Sequence, residues 1–446
     1  MAIRRRTGLT LVIIAAALLV ALLFLIPVLF NLDRYRPEVI SFLQAETGKQ
    51  IEIGHVAALT LFPTVSIRID DFGLKNPAIF PAGYVIKARR IDATLDFGAL
   101  LHRQFVIKSL VLDDPVINLV SHPDGPWNFE NPAQSRALGA AFSVGVISRV
   151  ELRGGQLLVS NLIDPSDTAG PIFFEAHNVS SKLEQVDLGA FANRASSSVA
   201  AQGDVRADSL RFGSVQATSV KSKLRLRAMQ VFFTDASLEA YGGCGTGDLS
   251  FSMAGRNASF SANAQMSGLD VAHLLTAFPH GRGKMTGKME GNLKLAGEIE
   301  NSHDPLAGIH GAGHVTVRNG QAPSLKLNEN VMKLARFNDL GPAAQNPDSF
   351  SSISADLALA NQRISSREIN IVGYGVNAQG SGSLSVTGAD SLDFQGVAEI
   401  LAKQGFFTNT LAKLYGATLK NGKLSFPFQV GGTIENPKFS IQTKAH

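Results

Sequence analysis

The chain has 446 residues and a formal net charge of +4, three of which come from Arg4, Arg5 and Arg6. What remains is close to neutral (about +1), which excludes the basic footprint of a nucleic-acid-binding surface. The lone cysteine, Cys244, excludes an internal disulfide. Charged residues, at 17%, fall below the usual share, so apolar burial and backbone pairing must hold the fold.

Directly after the three arginines, the stretch from Thr7 to Leu32 is uncharged and mostly aliphatic. A helix rises about 1.5 Å per residue and a bilayer core is about 30 Å thick, so the run from Leu9 to Phe30 is long enough to span it. Arginines flanking such a run stay on the cytoplasmic side, which predicts a single membrane span with most of the chain exported. A cleavable signal would have a shorter apolar region and a small-residue site after it. Here Phe30, Asn31, Leu32, Asp33, Arg34 and Tyr35 follow, so a retained anchor is expected.

Arg36-Pro37 opens a predicted helix that Gly48 ends, with Tyr35, Val39, Phe42 and Leu43 on its apolar face. Beyond Gly48 the apolar period becomes two. Ile91, Ala93, Leu95 and Phe97 alternate with Arg90, Asp92, Thr94 and Asp96, and Leu224 and Leu226 lie between Lys223, Arg225 and Arg227. The pattern recurs at Ile353, Ala355, Leu357 and Leu359, and at Leu424, Phe426, Phe428 and Val430. Each such segment predicts a strand with one apolar and one wet face, and together they predict an antiparallel, mainly β architecture. Three short helices are expected. One is capped by Asp270 and carries Val271, Leu274, Leu275 and Phe278 up to Pro279; the others run from Asn328 to Phe337 and from Asn409 to Tyr415. A weak echo, Gly297-Glu298-Ile299-Glu300-Asn301 against Gly432-Thr433-Ile434-Glu435-Asn436, is compatible with repeated strands.

The motifs of chemistry are missing. There is no G-x-S-x-G elbow, no H-E-x-x-H and no paired cysteines for zinc. Gly281 to Lys288 fails as a phosphate loop because Met289 stands where the magnesium-binding hydroxyl belongs. His310 and His314 would share a strand face roughly 13 Å apart, too far to hold one metal, and His303 adds no set. Asp70-Asp71 and Asp113-Asp114 read as turn or rim residues, and Cys244 as a small buried residue. No cofactor, metal or catalytic residue is expected.

Tyr35-Arg36-Pro37, the helix ending at Thr47-Gly48, Leu110 to Leu119 around Asp114-Pro115, and Gly125-Pro126-Trp127-Asn128-Phe129 resemble the N-terminal region of AsmA-family proteins. Gly308 to Phe439, closing with Gly431-Gly432-Thr433-Ile434 and Asn436-Pro437-Lys438-Phe439, resembles that family's C-terminal module. The resemblance implies four regions: anchor 1–32, N-terminal AsmA-like region 33–131, middle β-rich region 132–300 and C-terminal module 301–446. It also implies a non-enzymatic envelope protein, anchored in the inner membrane as a single-pass protein, whose elongated, curved antiparallel β-sheet forms a periplasmic groove that carries phospholipid acyl chains toward the outer membrane. The candidate groove lining is Ile91, Leu95, Phe97, Leu224, Leu226, Leu357, Leu424, Phe426 and Phe428, and the expected partners are membrane phospholipids and an outer-membrane or periplasmic protein. From the residues alone, the same alternation also fits the core of an ordinary β-sandwich. A scaffold for outer-membrane protein assembly is the alternative function, since exposed sheet edges recruit strands.

Overall fold

The computed structural model describes residues 32–60, 64–96, 98–99, 106–130, 146–187, 190–191, 198–255, 257–278, 282–300, 307–323, 349–374, 376–385, 391–401, 417–433 and 436–441. The predicted anchor with Arg4, Arg5 and Arg6, the groove candidate Phe97, His303, and the helices expected at 328–337 and 409–415 lie outside them. Among the described residues no helix is long and apolar enough to cross a membrane.

A 3-10 turn, Leu32–Tyr35, leads into helix α1, Arg36–Thr47. Gly48 ends it at φ +64°, donating its N–H to the Gln44 carbonyl, a conformation that glycine adopts without steric cost. Val39, Ile40 and Leu43 of the helix pack on Ile51, Ile53 and Ile69 of the first strands.

The strands follow in chain order. The first are β1 Ile51–Thr60, β2 Ser66–Lys75, β3 Tyr84–Leu95, β4 Ile107–Asp113, β5 Val116–Ser121, β6 Ile147–Asn161 and β7 Ile172–Val186. Then come β8 Ala201–Phe212, β9 Val215–Arg227, β10 Gln230–Ala240, β11 Gly243–Ser252, β12 Ala258–Asp270, β13 Lys288–Ile299 and β14 His310–Gln321. The last are β15 Ser349–Ala360, β16 Arg363–Gly373, β17 Val376–Ser385, β18 Leu392–Leu401, β19 Thr418–Lys420, β20 Lys423–Gly432 and β21 Pro437–Ile441. One short helix, α2 Val271–Leu275, interrupts them after β12, with the Asp270 carboxylate accepting the His273 N–H as its cap. Phe278, expected on its apolar face, is exposed.

All the strands join one sheet. It is an antiparallel meander with one exception to the expected pattern: β4 and β5 both pair in parallel with β6. They are one strand kinked at Asp114-Pro115, where Asp114 takes φ +49°. Parallel neighbours need a crossover, and residues between β5 and β6 supply it.

The sheet curls with its apolar face inward. Phe212 on β8 and Phe260 on β12 meet at 5.4 Å between ring centroids, although four strand steps would separate them by about 19 Å in a flat sheet. Farther round, Asn161 at the end of β6 donates its side-chain N–H to the Glu300 carbonyl just after β13, at 2.9 Å. A file of left-handed residues crosses the strands: Asp71, Asp114, Gly154, Asn178, Ser219 and Asp235 have φ between +49° and +67°. The register shifts beside several of them, as β-bulges require, and bulges bend a strand and add right-handed twist. The adjacent aspartates therefore sit within the sheet at its bends and not at turns, because a short polar side chain tolerates the left-handed conformation there. Cys244 is a second correction. It is exposed, since its register partners Glu239 and Ser267 share the outer face.

Candidate functional site: the inner apolar face

Register partners on neighbouring strands project from the same face. Starting at Leu59 on β1, the pairing leads through Ile67, Ala93, Leu110 and Val150 to β6. It continues through Leu183, Gly203, Leu224, Phe233 and Leu249 to β11. From there it passes Ala262, Leu295, Gly311, Leu359, Ile364 and Leu384 and ends at Leu392 on β18. Every member is apolar or glycine. At roughly 4.8 Å per strand the row runs for about 75 Å, at right angles to the strands that build it.

Exposure along this row is uniform. Ala93, Val150 and Leu183 are just buried, at 8–9% exposed, and every other member is half-buried. A closed sandwich would bury such a row completely; a flat open sheet would leave it wet. Curling produces the intermediate state, with the row as the floor of a trough. Among the described residues no second layer covers the floor from β12 to β17. Helix α2 packs only to one side, where Val271 and Leu275 meet Val317, Phe350, Met289 and Ile353.

Glycines make the concave face possible. Gly313 and Gly311 face Leu293 and Leu295 across β13–β14, and a Cβ at either position would lie 2.6–2.8 Å from the leucine Cδ2. The leucines lie over the glycines, so two positions share the volume of one side chain and the strands close toward each other.

The outer face is mostly polar, in two styles, with Val397 an exposed apolar residue on it. Over β2–β9 it carries ion pairs: Arg68–Asp92 at 2.6 Å, Arg90–Asp70 at 2.9 Å, Arg153–Glu151 at 3.0 Å and, between Glu175 and Arg211, a shorter contact. Hydrogen bonds from Arg90, Arg153 and Arg211 hold the Asp70, Glu151 and Glu175 carboxyls below the usual carboxylate range. Such exposed pairs keep the face wet and contribute little to stability. Over β11–β17 ion pairs such as Arg318–Glu290 at 2.7 Å stand beside uncharged register sets, Ser250–Ser261 and Ser354–Asn370–Gln379.

The eight described groove candidates all project from the inner face. Leu224 is on the row itself. Ile91 and Leu357 belong to the row beside it, Ile91 paired with Leu112 and Leu357 lying between Gly313 and Ser366. Leu95 and Leu226 lie toward the strand ends, half-buried. Phe428 is half-buried opposite Gly396. Leu424 and Phe426 differ: at 0% and 1% exposed they belong to a closed cluster with Val376, Ala398, Ile400 and Ala417, and they hold the last strands together. Sequence reasoning missed Phe233, Leu249, Leu295 and the glycines. The Leu293/Leu295 alternation was the available signal, but glycine carries no periodic signature. Among the described residues, no three His, Cys, Asp or Glu side chains converge to hold a metal ion. The apolar row offers dispersion and water exclusion, and among the described residues none of its members carries a titratable side chain.

The N-terminal part of this architecture, residues 4–154, matches the model of the AsmA family. Over this stretch the chain is similar to the AsmA family. No curated protein matches the chain. The AsmA stretch contains α1, β1 to β5 and the start of β6, and with them the first steps of the apolar row. Two of the AsmA-like phrases have a visible physical role here: Asp114-Pro115 is the kink between β4 and β5, and Trp127 with Asn128 is a buried anchor on the crossover. The C-terminal resemblance, Gly308 to Phe439, lies outside the matched residues and continues the same sheet. This similarity supports an envelope-associated role.

Proposed function

We propose that this chain binds phospholipid acyl chains along its inner face. In this reading it is anchored in the inner membrane by the segment after Arg4, Arg5 and Arg6, lies in the periplasm, and serves outer-membrane lipid homeostasis without catalysing a reaction. The observation that carries the reading is the unbroken apolar row, half-buried from Leu59 to Leu392. An acyl chain in water loses about 0.8 kcal/mol for each exposed methylene, so a continuous greasy floor removes most of the barrier to leaving a bilayer. The phenylalanine bias, 27 against 5 tyrosines, suits a lining without polar tips. Polar headgroups would stay at the open side, in water.

The test is direct. The full chain, purified in a mild non-lipid detergent, is extracted and its lipids identified by mass spectrometry. Stoichiometric phospholipid is expected; a lipid-free chain that also fails to take up lipid from vesicles would overturn the proposal. A second reading, a scaffold for envelope assembly, is favoured by one observation: β21 pairs only with β20 among the described strands, leaving an edge open to a partner strand. A stable protein partner recovered without lipid would favour that reading.

A further inference from the structure

The crossover between β5 and β6 must traverse the sheet, because parallel strands enter from the same end. Its first part, His122 to Glu130, is described: it turns back beside the end of β5, where Trp127 bridges Ser121 and the Asn128 N–H donates to the Val120 carbonyl. Trp127 is 1% exposed there. Its indole stacks on Phe129 at 6.1 Å and meets Phe251 of β11 edge-on at 6.4 Å. Phe129 in turn lies 6.4 Å from Phe191, on the connection between β7 and β8. In a flat sheet β5 and β11 would stand about 29 Å apart. Trp127 therefore fills the space between two facing walls of the trough. The cluster it centres packs against Leu249 and Leu295, both members of the apolar row.

The segment is held at its root. Asn128, wholly buried, accepts the Val120 N–H through its side chain and donates to the Asn118 carbonyl and to Asn76 Oδ1. The Asn128 backbone N–H bonds Val120, and Trp127 bridges Ser121. From the far side, the Lys49 ammonium donates to the carbonyls of Asn128 at 2.9 Å and Glu130 at 3.1 Å. A fully bonded buried amide fixes one backbone position, so the indole is pre-set and does not swing freely.

We propose that His122–Glu130 is a strap across the trough, and that Trp127 flanks the acyl-chain path and sets its width where the walls face each other. This rests on the lipid-binding reading of the inner face and adds the specificity-determining residue. Leu249 and Leu295 of the row pack against the Trp127 cluster and are themselves half-buried. A chain lying on these two residues would meet that cluster.

Trp127 is the sole tryptophan of the chain, so its fluorescence has one source. The full chain in non-lipid detergent is loaded with phosphatidylglycerol brominated in mid-chain, or with the unbrominated lipid, and bound lipid is counted by mass spectrometry. Bromine quenches on contact, and the expected result is loss of most tryptophan emission with the brominated lipid alone. Bound brominated lipid with unchanged emission would overturn the strap while leaving lipid binding intact; no bound lipid would overturn both. Trp127→Leu, once circular dichroism confirms the fold, should bind more lipid per chain or admit bulkier acyl chains. The same lipid count and chain profile as the parent would refute a role in setting width, and a variant that fails to fold leaves the quenching result to decide.

Discussion

Leu357→Asp separates a groove floor from a hydrophobic core. Leu357 is half-buried on β15, between Gly313 and Ser366 on neighbouring strands, with no layer above it among the described residues. Fully burying a leucine is worth about 1.5–3 kcal/mol, so removing a half-buried one costs about 1–1.5 kcal/mol. The new carboxylate reaches water on the open side and escapes the far larger penalty of a closed core. The folded variant should therefore survive, with a urea midpoint lowered only modestly. Lipid is affected differently. An acyl chain lying over the carboxylate strips its water, and a cost of even about 2.7 kcal/mol lowers occupancy roughly a hundredfold. Urea denaturation measures the first effect and lipid mass spectrometry the second. A variant that unfolds outright would show that Leu357 lies in a core, and a folded variant with undiminished lipid would show that cargo does not use this face.

Phe426→Ala should behave in the opposite way. It removes a 1%-exposed ring from the cluster of β17 to β20, costing about 3–5 kcal/mol, and hydrogen exchange should report loosening confined to the last strands. Lys49 predicts a pH dependence. Burial lowers its pKa to about 8, against an unfolded value near 10.4, while the Glu130 charge opposes the shift. Between those values the unfolded chain holds the extra proton, so stability rises with pH through that window. The slope is at most about 1.4 kcal/mol per pH unit, reduced by the solvent on the lysine's open side. Lys49→Met should abolish this rise, as urea titrations at the two ends of the window would reveal.

The sheet was legible because its signal is local. Period-two alternation placed Ile91, Leu224, Leu357 and Phe426 on inward-facing positions without any structure, and Gly48 and Asp270 marked their helix ends by conformational chemistry that acts within a few residues. What stayed hidden is set between strands. Whether Leu357 and Phe426 differ in burial depends on which strands curl over them, and identical alternation gives half-burial in one and closure in the other. The parallel pairing of β4 and β5 with β6 was equally unreadable, because β-propensity does not encode strand direction. Cys244 was misplaced for a related reason. A small residue among glycines has no alternating neighbours to reveal its parity, and register put it outside. Asp71 and Asp114 read as turn or rim residues in the sequence, and only the register shows that they sit at bends that line up across the sheet.

The apolar row is built from one residue per strand, and no step of it is chemically distinguished from the next. Under the lipid-binding proposal, an acyl chain advancing by one strand would exchange leucine for phenylalanine, alanine or glycine, with nothing to hydrogen-bond and no charge to escape. Such a surface has no address. Its energy profile is a shallow ripple, on which occupancy is fixed by the contents of the two ends and movement is sliding. Any net direction then has to come from a concentration gradient or from partners at the ends, since the floor itself favours neither.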